Sequence, residues 1–310
     1  MDNSDARPRL VDLAQKARGR NGAAQESPPS HCAESDAPIT VATHLDPAGR
    51  ILVPVRINER GPFYLVANTG ANTIALSEQA ARRLNLPLDQ ERPIIVHGVT
   101  GSITVPVARV ASMTLGRWPI PSGTMPILGD VFEGADGMLG LVGLVHGQLH
   151  LDLRRRKLIL SNVPMPGRAE PRAVSVPMDV SESRLLVVDT KVMGTVVKTI
   201  IDTGAQSTIG NLALQRALRE HGAAPAVMVP IIGVSSHRQT GVSQRLPPVS
   251  IGTLRILGAR IFYGEVPLFE RVGLANTPAM FLGMDVLGQM QSLTFDYVKR
   301  TVEFVPRKVR

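Results

Sequence analysis

The stretch Thr199-Ile200-Ile201-Asp202-Thr203-Gly204-Ala205 sets an acid at the end of an apolar strand and follows it with a tight turn. A near copy stands earlier, at Leu65-Val66-Ala67-Asn68-Thr69-Gly70-Ala71, with a carboxamide in place of the carboxylate. An offset of 134 residues (202 − 68) brings Arg50–Gly70 onto Arg184–Gly204 without a gap, Leu52 on Leu186 and Val53 on Val187. Such self-similarity at a fixed period reads as a duplicated unit. His97-Gly98-Val99-Thr100-Gly101 then corresponds to Ile232-Gly233-Val234-Ser235-Ser236. Met138-Leu139-Gly140 corresponds to Phe281-Leu282-Gly283, and each unit closes on a hairpin, Leu149 to Leu160 and Leu293 to Phe304.

Between these landmarks each unit reads as strands, the Asx-Thr-Gly turn, one short helix, a Gly-containing hairpin and more strands. The helices fall at Ser77 to Leu84 and Leu212 to His221, with Ser77 and Asn211 as N-caps, because a short polar side chain can accept from an early helical amide. Asn162 to Arg172 carries three prolines and a glycine, a connector's composition. The expected organisation is a disordered polar tail over 1–38, a first unit over 39–162, a linker over 163–172 and a second unit over 173–307.

A hydrophobic content of 44% over 310 residues suits a folded chain of one or two domains, and 28 Gly with 24 Pro favour strands and turns. Aromatics make up only 4%, so the core is expected to be mainly aliphatic. The single Cys32 excludes an internal disulfide. No apolar run approaches the ~20 residues needed to span a bilayer. The first residues lack the apolar stretch of a signal peptide, which points to the cytoplasm; a leader upstream of the given sequence would point to the periplasm or the exterior.

The net charge of +8 raises nucleic acid as a partner, but the basic residues are dispersed. Their one tight run, Arg154-Arg155-Arg156-Lys157, falls where a solvated turn joins two strands, so no nucleic-acid binding is expected. His146 and His150 stand four apart, yet Gly147 and the alternation that follows argue against a helix face. No further ligand completes a metal site, and no cofactor is expected. The sequence has no phosphate-cradling Gly loop, Ser nucleophile elbow or Cys-His pairing.

A repeated Asx-Thr-Gly-Ala, with Leu139-Gly140 and Leu282-Gly283 downstream, resembles the aspartic peptidases of the retropepsin and pepsin type. It looks most like bacterial retropepsin-like aspartyl proteases with two lobes fused in one chain, over roughly residues 39 to 307. The resemblance implies a mainly β, bilobal acid-protease fold: two retropepsin-like β-barrel lobes with short helices. It further implies hydrolysis of internal peptide bonds in a peptide or protein substrate, and a monomer suffices because both lobes lie in one chain. Thr69 and Thr203 would bond across to the opposite loop, Gly70 and Gly204 would allow those loops to approach, and the turn Gly98, Val99, Thr100, Gly101 would be the flap over substrate. A plain hairpin is the alternative reading of that turn. A lone Asp at a strand-to-turn corner would be ordinary turn chemistry, but the repeat sets Asp202 apart.

In such enzymes two close carboxyls share one proton, which supplies a base for the attacking water beside an acid for the leaving group. By resemblance Asp202 is one member, and Asn68 occupies the partner's position. Asn donates and accepts hydrogen bonds but does not shuttle a proton. The expectation is an impaired or inactive peptidase, with no like charge left to raise the pKa of Asp202. The alternative is a non-catalytic peptide-binding protein on the same fold, or an acid recruited from Asp136 or Asp285. The sequence leaves open whether Asn68 is native or engineered.

Overall fold

The computed structural model describes residues 37–308, apart from 99–100, 143, 145, 166–169, 182–184, 233–237 and 265. Most of the tail expected over 1–38 therefore lies outside the described residues. The chain is mainly β and bilobal, and each lobe is built on one ten-stranded, strongly bent sheet. In the first lobe the path runs Leu88–Gly98, Gly101–Val110, Gly123–Leu128, Ile74–Ser77, Gly137–Gly140, Arg60–Asn68, Ile51–Ile57, Met113–Leu115, Trp118–Pro119. The second lobe repeats that order strand for strand, from Val227–Ile232 through Ala279–Leu282 and Thr195–Ile201 to Leu254–Ile256.

In both lobes a short apolar strand is inserted between two others, which positions the Asx-Thr-Gly loop. Gly137–Gly140 runs parallel to Arg60–Asn68 and antiparallel to Ile74–Ser77. Ala279–Leu282 does the same between Thr195–Ile201 and Ile209–Gly210. The glycine ending each inserted segment is dictated by space. A Cβ on Gly140 would fall 2.5 Å from the Thr73 carbonyl oxygen, and one on Gly283 2.7 Å from that of Ser207.

A third, six-stranded sheet joins the lobes: Ile39–Ala42, Lys157–Ser161, Gln148–Asp152, Met290–Asp296, Thr301–Pro306, Val174–Pro177. Its two central strands come one from each closing hairpin and pair antiparallel, with Gln148 opposite Asp296 and Asp152 opposite Ser292. The basic run lies on the exposed turn of the first hairpin, as the sequence predicts. A single, mainly aliphatic core cluster, with Phe63, Tyr263, Phe295 and Phe304 in it, continues from Val53 and Leu65 through Leu149 and Leu293 to Val197 and Leu282. Burying this surface from both lobes together favours one folded unit over two separable ones.

Pairing corrects the gap-free alignment. Val66 pairs with Leu52, but its counterpart Ile200 pairs with Val187, so Leu52 is equivalent to Val187 and not to Leu186. Burial agrees, since Leu52 and Val187 are half-buried whereas Leu186 is fully buried. A register shift between Val55 and Ile57 in the first lobe accounts for the one-residue difference. A slip of one residue exchanges the faces of a strand, so identity at fixed offset is a poor guide there. Past this irregularity the offset of 134 holds at the loops themselves.

The helices form as expected, Glu78–Leu84 capped by Ser77 and Leu212–Glu220 capped by Asn211. Two more, Pro267–Arg271 and Met284–Leu287, are too short to show a period in the sequence. Asn211 does more than cap. Its Oδ1 accepts from Leu214 N at 2.8 Å and Ala279 N at 3.2 Å, and its Nδ2 donates to the carbonyls of Leu274 and Thr277, each at 2.7 Å. Loss of the cap and of these buried partners in Asn211→Ala is expected to cost roughly 3 kcal/mol, read as a lower urea midpoint without a changed m-value.

Candidate active site

Asn68 ends the strand Arg60–Asn68, and Asp202 follows directly on Thr195–Ile201. The inserted strands hold both backbones: Leu141 N donates to Asn68 O at 2.8 Å, and Asp202 N to Leu282 O at 3.0 Å. From there the loops meet across the interface of the lobes. Thr69 Oγ1 donates to Ile201 O at 2.7 Å and Thr203 Oγ1 to Ala67 O at 2.6 Å. Each hydroxyl also accepts from the other threonine's backbone N–H, at 3.1 Å in both directions. Both threonines are buried, and this reciprocal arrangement satisfies every polar group that the contact removes from water.

The glycines at Gly70 and Gly204 are the points of closest approach. A Cβ on Gly70 would fall 2.4 Å from Asp202 Cγ, and one on Gly204 would fall 2.2 Å from Asn68 Nδ2. Each Asx side chain therefore stands against the opposite lobe's loop, and the two expected partners are brought together. Gly70 N donates to Asn68 Oδ1 at 2.6 Å. Gly204 N and Ala205 N donate to Asp202 Oδ1 at 2.9 and 3.1 Å.

Asp202 is only 7% exposed, and burial pushes its pKa up to about 6 against the lowering effect of the Gly204 and Ala205 amides. No like charge contributes to this shift, as the sequence predicts, but its cause, burial, was not foreseen. Loss of a like charge does not leave the acid at its ordinary value, because desolvation alone raises it.

Asn68, 9% exposed, has a partner that the sequence reading missed: its Nδ2 donates to Met138 Sδ at 3.0 Å. Met138 is the counterpart of Phe281, and both lie in the quoted apolar-apolar-Gly segments. The signal in the sequence was a methionine in the unit with the carboxamide, where the other unit has Phe281. Neither alternative acid replaces the missing carboxylate. Asp136 is bound to Arg83 Nη1 at 2.6 Å and to Tyr64 N at 2.8 Å. Asp285 accepts from Thr208 Oγ1 at 2.8 Å and Thr208 N at 3.1 Å, and caps the loop behind Asp202.

The flap residues Gly98 and Gly101 face each other at the end of the hairpin Leu88–Gly98 and Gly101–Val110, while Val99 and Thr100 lie outside the described residues. The first strand of this hairpin packs beside helix Pro267–Arg271 of the other lobe. Its counterpart, Val227–Ile232 with Arg238–Arg245, has its turn outside the described residues. His150, considered above for metal, pairs through Nδ1 with Thr294 Oγ1 at 2.8 Å. Among the described residues no three His, Cys, Asp or Glu cluster as metal ligands, and no helix is long and apolar enough to cross a membrane.

A family model described as aspartyl protease matches residues 53–141, from the strand at Ile51–Ile57 to just past the inserted Gly137–Gly140. No curated protein matches the chain. Together with the paired β lobes, the match supports a retropepsin-like aspartyl protease and a peptidase-type function. The matched segment contains the Asn68 loop, not the Asp202 loop.

The raised pKa has a consequence for stability. Between pH ~4 and ~6 the folded chain keeps a proton on Asp202 that the unfolded chain has lost, so stability falls as pH rises through that window. A shift from 3.8 to about 6 corresponds to roughly 3 kcal/mol. Urea unfolding of the wild type against Asp202→Asn, across the window, is expected to show the variant gaining about that much relative stability on the alkaline side.

Proposed function

We propose that this chain is an aspartic-type endopeptidase by construction, acting on internal peptide bonds through a water held at Asp202 and position 68, with hydrolysis strongly reduced by Asn68. The reading rests on the approach of the Asp202 carboxylate and the Asn68 carboxamide to each other's loop glycine. At neutral pH a carboxyl titrating near 6 is ionised and serves as base for the water. A second carboxyl would protonate the leaving amine; Asn68 can only orient the substrate carbonyl through Nδ2.

A peptide lying between the lobes would be extended, strand-paired to the hairpin ending at Gly98 and Gly101, with side chains in apolar pockets. Thr69, Gly70, Thr203 and Gly204 fix the two loops and leave the chemistry to the side chains they orient. The matching strand orders of the lobes support a duplication, with a first lobe over 39–162, a connector over 163–172 and a second lobe over 173–307. Both loops come from one chain, so a monomer completes the cleft.

A second reading, a peptide-binding protein without hydrolysis, is favoured by the hydrogen bonds that Asn68 makes to Gly70 N and Met138 Sδ, which accommodate the amide in the folded cleft.

Cleavage of an unfolded protein by the wild type, Asn68→Asp and Asp202→Asn, at acid and neutral pH, separates the two. Restoring the acid pair in Asn68→Asp is expected to raise the rate ~100- to 10,000-fold, and Asp202→Asn to abolish it. A folded Asn68→Asp variant that binds the substrate without cutting it leaves the second reading standing.

A further inference from the structure

We propose that Asn68 is a self-modification site: a water activated by Asp202 hydrolyses the Asn68 carboxamide, turning an incomplete acid pair into a complete one. The proposal rests on the reading of Asp202 as a general base. The water oxygen forms a bond to Asn68 Cγ, the Cγ–Nδ2 bond breaks, and the proton taken by Asp202 passes to the departing nitrogen. The products are ammonia and a carboxylic acid at position 68. No oxidant or further reactant takes part.

Four features of the site point the same way. The Asn68 carbonyl oxygen accepts from Gly70 N at 2.6 Å, a short bond that polarises the amide and favours charge developing on that oxygen. The departing nitrogen is held by a thioether, a weak acceptor, so its release breaks no strong bond. The base comes from the other lobe, and no Cβ stands between it and the Gly70 loop. Held in one folded unit, base and amide react as an intramolecular pair, which lets a lone carboxylate complete one slow turnover on its own chain.

The fourth feature concerns what the fold forbids. Ordinary asparagine deamidation begins when the backbone nitrogen of the next residue attacks the side-chain carbonyl, and the resulting ring opens to a mixture of aspartate and isoaspartate. Here that nitrogen belongs to Thr69, whose N–H is engaged with Thr203 Oγ1 at 3.1 Å in a buried contact between the lobes. Cyclisation would pull Thr69 out of this pairing. Direct attack by water leaves it intact and yields aspartate alone.

The sequence supplies an internal control. Asn72 is likewise followed by a threonine, Thr73, and it shares with Asn68 the tryptic peptide from Gly61 to Arg82. The full chain is held at neutral pH in oxygen-18 water and digested, and tandem mass spectrometry reads each asparagine separately. Asn68 is expected to convert at least about tenfold faster than Asn72, taking up one heavy oxygen and giving no isoaspartate. The excess should disappear in Asp202→Asn, in Asp202→Ala and in wild type unfolded in urea. Freshly purified chain already carrying the acid at position 68, with Asn retained in Asp202→Asn, supports the proposal equally.

Equal rates at Asn68 and Asn72, an excess that survives loss of Asp202, or isoaspartate at position 68 overturns it. These readouts follow mass and not proteolysis, so they fail independently of the peptidase reading. An active Asn68→Asp with a permanently amidated wild type sinks only the self-modification. Conversion at Asn68 with an inactive Asn68→Asp sinks only the peptidase.

Discussion

The reciprocal hydrogen bonding of Thr69 and Thr203 is the constraint on which the cleft depends. Each hydroxyl donates to a carbonyl of the opposite lobe and accepts that lobe's threonine amide, so three polar groups on each side are settled by the other. Deleting one hydroxyl would leave a carbonyl and an amide unpaired in a dry interface, where the cost is the full desolvation of both. Because the contact fixes Thr69 and Thr203, it also fixes the residues just before them, Asn68 and Asp202. The six-stranded sheet supplies a second, more distributed lock between the lobes, joining Gln148–Asp152 to Met290–Asp296.

The lobes share a topology but not a chemistry. Under the second loop lies Phe281, fully buried and tilted against Phe269 with ring centroids 5.0 Å apart; under the first lies Met138, whose sulfur accepts an Asn68 amide hydrogen. Behind the second loop Asp285 is held by Thr208; the first lobe has Val142 at that place, and its Asp136, at the far end of the inserted strand beside Tyr64, is held by Arg83, which also lies over the Phe63 ring. Asp136 is thus neutralised by a cation, whereas Asp285 is held by hydrogen bonds. Desolvation accordingly raises the pKa of Asp285.

Much of this was legible in the sequence where local chemistry dictates it. Asx-Thr-Gly turns, two capped helices and two closing hairpins follow from turn residues, caps and alternation, and each forms where its residues predict. The first strand of each lobe was misaligned, because Leu52 and Leu186 are identical but stand on different registers. Identity carries no information about a bulge, whose extra residue is absorbed by backbone geometry. The six-stranded sheet could not be foreseen either, since no local signal says that the strand at Leu149 pairs with the one at Phe295 across 146 residues. The raised pKa of Asp202 was missed for a related reason. Counting charges along a sequence finds like-charge repulsion but not burial, which depends on both lobes closing over the carboxyl.

That distinction bears on what a single acid can do. In a like-charge pair, the proton whose loss is costly is shared, and the pair holds one acid and one base over a broad span of pH. In this cleft desolvation acts on Asp202 alone, so at rest it is an acid below about 6 and a base above, and a single turnover needs it to serve as base and then as acid in succession. Peptide hydrolysis needs both functions, because the amine leaves poorly unless protonated. At Asn68 the proton that Asp202 takes from the water can pass on to the departing nitrogen of an amide fixed beside it, and one slow turnover suffices. The asymmetry that weakens the cleft toward peptides therefore leaves within its reach the one amide, Asn68, whose hydrolysis would remove the asymmetry.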